Sequence, residues 1–157
     1  MKAGEKTNVM RVLDSKKIPY EFHTYEADPT MTGAQIAAVL GEAAEHVFKT
    51  LVTVGKTGGH YVFVIPVARE LDLKKAAKAA GEKSIAMIPQ KELLPLTGYV
   101  HGGCSPVGMK KAFPTIVHQS AQNLERIYVS AGRVGAQIGL SPSDLGKAAA
   151  FRYADLV

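Results

Sequence analysis

Residues 97–108 have the sequence TGYVHGGCSPVG, which is the most unusual stretch of this chain. Four glycines lie close together there, next to serine, proline and histidine. Glycine permits positive φ and lets a ligand approach the backbone closely. A loop of this kind can direct several backbone N–H groups at one anionic or carbonyl oxygen. The alternative is a tight structural turn between two strands, and composition alone does not separate the two interpretations.

The spacing within this loop excludes several common motifs. It contains neither of the glycine patterns that bind phosphates. It also lacks the GxSxG pattern, so Ser105 is a poor candidate for a hydrolase nucleophile. Cys104 with His101 suggests a cysteine hydrolase, although a small buried thiol is the commoner role for such a residue. The five histidines show no zinc-site spacing, and we expect no metal and no cofactor.

The segments around the loop predict an irregular alternation of helices and strands. Thr7 is a candidate N-cap, Thr32 with Gln35 has the form of a capping box, and Ser141 precedes a helix-starting proline. Strands are predicted at 18–22, 51–54, 61–67, 85–88, 115–118 and 127–130, helices at 9–16, 33–41, 73–80 and 142–150, and a further turn at 42–48. This order favours one α/β domain of the α+β type, with a mixed sheet and packed helices.

Composition is that of an ordinary globular domain. The chain has 157 residues, 46% of them hydrophobic and 21% charged, which suffices for one buried core. A single cysteine excludes an intramolecular disulfide. There is no run of about 18 apolar residues and no apolar signal-peptide segment, so a cytoplasmic location is expected.

The formal net charge of +5 is compatible with a solvated lysine-rich surface or with a polyanionic partner. The cationic residues that cluster are the candidates for contacts with phosphate. They are Lys74 and Lys75 on one predicted helix, Lys110 and Lys111 after the glycine-rich loop, and Arg133 in a second glycine-rich turn.

Five segments in one order resemble the YbaK/EbsC family, which is related to the editing insertion domain of bacterial prolyl-tRNA synthetases. The segment GGCSPVG at 102–108 resembles the GGxSPxG loop of that family. The other four are HTY at 23–25, FKTL at 48–51, LKKAA at 73–77, and IYVS at 127–130 followed by Gly132. The resemblance implies a single editing domain over residues 1–157. Its expected fold is a mixed, mostly antiparallel sheet curled toward a barrel and surrounded by helices.

The resemblance also implies an activity, which is removal of a wrongly attached amino acid from tRNA. The preferred substrate would be Cys-tRNA(Pro), and prolyl-tRNA synthetase is a further expected partner. In this family the substrate thiol is thought to attack its own ester, giving a thiolactone. The implied catalytic residues are Lys49, Gly102 and Gly103, and the implied substrate-binding residues are His23, Tyr25, Thr50, Ser105, Pro106, Gln137 and Asp144.

Two positions depart from the family pattern. The turn after the IYVS strand has Ala131 where a glycine is usual, and Gln137 stands where cysteine-specific members are expected to have an acidic residue. An amide does not accept from a cation as a carboxylate does, so alanine or serine is an alternative amino acid. A non-catalytic module that binds tRNA or a nucleotide is the second alternative.

Overall fold

A computed structural model describes residues 6–28 and 30–157. Its α-helices are α1 Asn8–Ser15, α2 Gly33–Leu40, α3 Leu73–Ala80, α4 Leu93–Thr97 and α5 Pro142–Ala148. Short 3₁₀ helices lie at Ala44–His46, Gln90–Glu92 and Gln119–Asn123. No helix in the described ranges is long and apolar enough to cross a membrane.

The predicted helix starts are confirmed by their caps. The Thr7 hydroxyl accepts from the Met10 N–H at 3.2 Å, and Ser141 caps α5 in the same way. Thr32 forms the complete capping box with Gln35. The predicted turn at 42–48 is a 3₁₀ helix, and the last helix ends at Ala148 instead of 150.

Eight strands form two sheets. They are β1 Glu21–Thr24, β2 Phe48–Gly55, β3 His60–Pro66, β4 Ile85–Met87, β5 Thr115–His118, β6 Ile127–Ser130, β7 Ala136–Leu140 and β8 Arg152–Ala154. The strand predicted at 18–22 begins later, because Ile18 ends α1 by donating its N–H to the Leu13 carbonyl. The strands predicted at 115–118 and 127–130 are confirmed.

The smaller sheet has the order β1-β7-β6 and is antiparallel, whereas the larger has the order β4-β2-β3-β5-β8. In the larger sheet β5 runs parallel to both β3 and β8. The two sheets do not close into a barrel in the described residues, since the link between them is one parallel bridge from Val47 to Tyr128. The mixed α/β architecture is therefore confirmed, and the curled sheet remains open.

Strand β3 is buried on both faces and separates two hydrophobic cores. Val62 and Val64 face the larger core, which α1 and the three-stranded sheet also build. Phe63 and Ile65 face a second core that α3 covers. Side chains alternate across a strand, so a single uninterrupted apolar run serves both layers.

The cap of α3 gives a test of this architecture. The Asp72 carboxylate accepts from the N–H groups of Lys74 and Lys75 at 2.9 and 3.0 Å. We expect Asp72→Ala to lower the free energy of unfolding by about 1 kcal/mol, because two helix N–H groups lose their acceptor. Asp72→Asn keeps an acceptor and should cost much less. Equal losses in urea denaturation of the two variants would contradict the assignment.

Candidate active site

A cavity of about 440 Å³ lies where the two sheets separate. That volume falls in the range of about 300–1,000 Å³ that is usual for small-molecule sites. Its walls come from the edge of β2, from α2, from the segment between β4 and α4, and from the glycine-rich loop. Ser130 of β6 and Gln137 of β7 complete the lining.

The edge of β2 is open along this cavity. Strand β4 pairs with β2 at Thr53–Gly55 and leaves the beginning of β2 uncovered on that side. The Gly55 N–H donates to the Gly59 carbonyl at 2.8 Å. Along β2, residues whose backbone bonds to β3 therefore alternate with residues whose backbone points away from β3, and Gly55 is one of those that bond to it. By that alternation, Thr50 directs its backbone N–H and C=O away from β3, toward the cavity. Lys49 and Thr50 both lie in the lining.

The glycine-rich loop forms the opposite wall. Gly102 has a φ of +85°, a conformation that favours glycine. A Cβ on Gly103 would lie 3.0 Å from the backbone of Arg133 and Val134, so this loop and the 131–135 turn pack backbone to backbone. Lys49 and Gly102, far apart in the chain, therefore line one cavity.

Hydrogen bonds fix the loop from beneath. The buried Tyr99 donates its hydroxyl to the Val107 carbonyl, and burial raises the pKa of Tyr99 to about 12. The Asn8 amide donates to the Gly108 carbonyl at 3.2 Å. The fully buried Ser105 accepts from the Val107 N–H at 3.2 Å. Ser105 and Pro106 thus lie under the loop and not in the cavity lining.

The loop leaves some of its N–H groups for a ligand. The Gly103 N–H donates to the Val100 carbonyl at 3.0 Å and closes the turn. In the described part of the chain, the N–H groups of Gly102 and Cys104 donate to no carbonyl or side chain. Both residues line the cavity, so their N–H groups are candidate donors to an oxygen bound there.

Cys104 is buried, with 9% of its surface exposed. Burial raises the pKa of its thiol to about 12 from an ordinary value of 9.0. The thiolate is the reactive form of cysteine, so this thiol is inert near neutral pH. The cysteine-hydrolase alternative therefore lacks its nucleophile.

Two buried polar atoms in the lining have no hydrogen-bond partner among the described residues. They are the Thr50 Oγ1 and the Gln137 Oε1. Gln137 is 6% exposed. Buried polar atoms are normally paired, so these two are unsatisfied polar groups on residues beside the cavity.

Other predicted substrate-binding residues lie outside the lining. Tyr25 follows β1 and donates its N–H to the Gly135 carbonyl at 2.9 Å. His23 pairs with Gln137 across the sheet, and its imidazole contacts the Glu21 carboxylate at 2.9 Å and the Tyr128 ring edge. Asp144 is the third residue of α5, where its N–H donates to Ser141.

The predicted tRNA-binding residues fall on two sides of the molecule. Helix α3, with Lys74 and Lys75, covers the second core and contributes nothing to the cavity lining. Lys75 also forms an ion pair with Asp155 at 2.9 Å. Lys110 and Lys111 are exposed just after the glycine-rich loop. Arg133 lies in the turn that packs on that loop, with its guanidinium over the Phe22 ring.

Several lining residues were not predicted from the sequence. Met31 precedes α2 and Ile36 lies in its first turn, whereas Met87 ends β4, Ile88 follows it, and Leu93 begins α4. They give the cavity an apolar wall. The sequence gives little indication of them, because apolar residues beside turns are as common in an ordinary hydrophobic core as in a binding site.

Comparison with known proteins identifies the family of this chain. Residues 27–148 match the family model described as the aminoacyl-tRNA editing domain. A protein of Enterococcus faecalis, EbsC, named as a candidate Cys-tRNA(Pro)/Cys-tRNA(Cys) deacylase, is 46% identical over 142 residues, which cover 90% of this chain and 87% of that protein. A proline–tRNA ligase of Pelobacter propionicus is 28% identical over 69% of this chain, which spans 19% of the ligase.

A solved structure shares the fold. It is described as a candidate trans-editing enzyme for prolyl-tRNA synthetase, and it superposes with a TM-score of 0.84 at 25% identity over 95% of this chain and 94% of that one. This chain belongs to the aminoacyl-tRNA editing domain family. Its class is that of an aminoacyl-tRNA deacylase, an enzyme that cleaves an ester bond, as the sequence predicted.

The buried thiol allows a direct test of the site. Since burial raises the pKa of Cys104 from 9.0 to about 12, its thiolate fraction at pH 8 is about a thousandfold below that of an ordinary cysteine. We expect alkylation of the folded protein at pH 8 to be slower than in urea by at least this factor. Comparable rates, measured by mass spectrometry in the two states, would show that the thiol is accessible and ionised.

Proposed function

We propose that this enzyme clears Cys-tRNA(Pro) by substrate-assisted cleavage. The cysteinyl thiol attacks its own ester carbonyl, so that a carbon–sulfur bond forms and the carbon–oxygen bond to the ribose breaks. The thiol proton passes to the departing ribose oxygen. The products are a cyclic thiolactone and free tRNA. The observation that carries this proposal is that Lys49 and two unpartnered loop N–H groups line the same cavity.

The lining supports a nucleophile supplied by the substrate. The Cys104 thiol is protonated near neutral pH. The hydroxyls in the lining belong to Thr50 and Ser130, and in the described residues neither is hydrogen-bonded to a histidine or a carboxylate. A serine or threonine nucleophile needs such a base. In this proposal the protein contributes two things to catalysis: it holds the thiol close to the ester carbonyl, and it offers preorganised donors to the oxyanion.

We assign the oxyanion role to the N–H groups of Gly102 and Cys104, since that of Gly103 is used inside the turn. The role of Gly103 is to let the backbone of Arg133 approach, which holds Gly102 in place. Lys49 orients the aminoacyl end or the terminal nucleotide, and Thr50 offers its open backbone edge. Tyr25 and His23 then act as support for the strand that carries Gln137.

The tRNA body meets the surface beside the loop in this proposal. Lys110, Lys111 and Arg133 adjoin the glycine-rich loop, and phosphates attract such a cationic group. Lys74 and Lys75, on the far side of the larger sheet, would meet a more distant part of the tRNA. A synthetase that holds the same tRNA would be the natural partner.

Alanine and serine remain alternative acyl groups, because the amide of Gln137 replaces a carboxylate. Incubation of the protein with Cys-tRNA(Pro), S-methylcysteinyl-tRNA(Pro), Ala-tRNA(Pro) and Ser-tRNA(Pro) decides between them. We expect fast loss of the cysteinyl ester and none of the S-methyl ester, whose sulfur has no proton to release. Cleavage of the alanyl or S-methyl ester at a similar rate would show that the nucleophile is water or the ribose hydroxyl and not the substrate thiol. Loss of no ester would refute the deacylase proposal.

Lys49 should be required for that activity. We expect Lys49→Ala to lower kcat/KM at least tenfold, because the cavity loses the one lysine in its described lining. Lys56→Ala, at an exposed lysine of the β2–β3 turn, is the matched control and should retain full activity. Equal rates for both variants and the unmodified enzyme would remove Lys49 from the mechanism.

A further inference from the structure

The environment of Gln137 indicates which group of the substrate it meets. Its side chain is 6% exposed and lines the cavity, and its Oε1 has no partner among the described residues. Its neighbours across the sheet are engaged elsewhere. His23 contacts Glu21, and the Ser130 hydroxyl accepts from the Gly132 N–H at 3.1 Å. The Gln137 Oε1 is therefore an unused acceptor on a residue of the cavity lining.

No carboxylate balances a cation in this cavity. Among the described lining residues there is one lysine, Lys49, and no aspartate or glutamate. Two carboxylates near the smaller sheet, those of Glu21 and Glu42, lie outside the lining and have other partners. The Tyr128 hydroxyl donates to Glu42 at 2.8 Å, and Arg126 and His23 bind Glu21 at 3.2 and 2.9 Å. An ammonium group that enters the cavity finds a like charge and no counter-ion.

A buried charge without a partner is costly, whereas a neutral polar group needs one good hydrogen bond. An amide offers both a donor and an acceptor, and a carboxylate offers acceptors alone. Gln137 can therefore bind a neutral amine or a hydroxyl equally well. Its bond to an ammonium group is weaker than that of a carboxylate, because only one of the two partners carries a charge.

We propose that Gln137 binds the α-substituent of the acyl group as a neutral hydrogen-bonding group. Esters of tRNA with α-hydroxy acids are then substrates alongside aminoacyl esters. This inference rests on the proposed function and extends its substrate class. The reaction is unchanged, since the same ester bond breaks and the α-substituent takes no part in the covalent step.

The test compares two esters on the same tRNA(Pro), both loaded by an acylating ribozyme. One carries cysteine, and the other carries 3-mercapto-2-hydroxypropanoate, which keeps the thiol and exchanges the amine for a hydroxyl. An alanyl and lactyl pair repeats the comparison without the thiol. We expect kcat/KM of the unmodified enzyme to agree within about threefold in each cleaved pair. A preference for the aminoacyl ester of more than tenfold would overturn the inference.

Variants separate the role of Gln137 from general effects. Gln137→Glu should shift the ratio at least tenfold toward the aminoacyl ester, because bonds to a charged partner are stronger. Gln137→Met should slow both esters by the same factor, and it carries the test if the glutamate variant does not fold. Gln119→Glu adds the same charge at an exposed position away from the cavity and should leave the ratio unchanged.

The outcomes for the two proposals differ. Cleavage of the cysteinyl or alanyl ester without its hydroxy counterpart leaves the deacylase function standing and overturns the role of Gln137. An unchanged ratio in Gln137→Glu, or a selective loss of the aminoacyl ester in Gln137→Met, overturns it as well. Cleavage of neither member of either pair refutes both proposals. Thermal unfolding of each variant establishes that the compared proteins are folded.

Discussion

The open edge of β2 is the constraint on which the rest of the site depends. Strand β4 pairs with Thr53–Gly55, one further hydrogen bond joins the Ile88 N–H to the Val52 carbonyl, and the link to the smaller sheet is a single bridge at Val47. The backbone of Thr50 between them is therefore unpaired on one side. Unpaired backbone in a folded protein needs water, a ligand or another chain. The cavity supplies that space, and everything else around it, from the glycine-rich loop to Gln137, forms the remaining walls.

The catalytic logic follows from what these walls contain. Backbone N–H groups, one lysine, one histidine, two hydroxyls and two amides can orient an ester and stabilise negative charge on its oxygen. They do not provide an ionised nucleophile, since burial keeps the thiol of Cys104 protonated. A cavity of this kind suits a substrate that carries its own nucleophile. It accelerates the reaction by holding the reacting groups of the substrate close together.

The sequence predicted most helices and strands, because their caps and apolar runs are local signals. Helix α4 was missed since Pro95 interrupts it, and β7 was missed since Ala136, Gln137 and Gly139 have low strand propensity. Strand β8 is a three-residue edge strand with Arg152 at its start, and its place is set by pairing with β5. These elements depend on tertiary contacts that no local pattern encodes.

The site was predicted in part for the same reason. The family resemblance indicated Lys49 and the glycine-rich loop as parts of one site, and both line the cavity. It did not reveal that the Gly103 N–H is used within the turn, nor that the amide of Gln137 is buried without a partner, because both facts depend on three-dimensional packing. The sequence marked Gln137 as a departure, and in the fold this residue lines the cavity.

The most direct measurement is an amide NMR titration with a stable analogue, 3′-amino-3′-deoxyadenosine that carries alanine through an amide bond. The account predicts the largest shifts at the backbone N–H groups of Gly102 and Cys104, at Thr50, and at the side-chain amide of Gln137. Shifts confined to α3, or to the hollow between Ser141 and Tyr153 on another side, would contradict it.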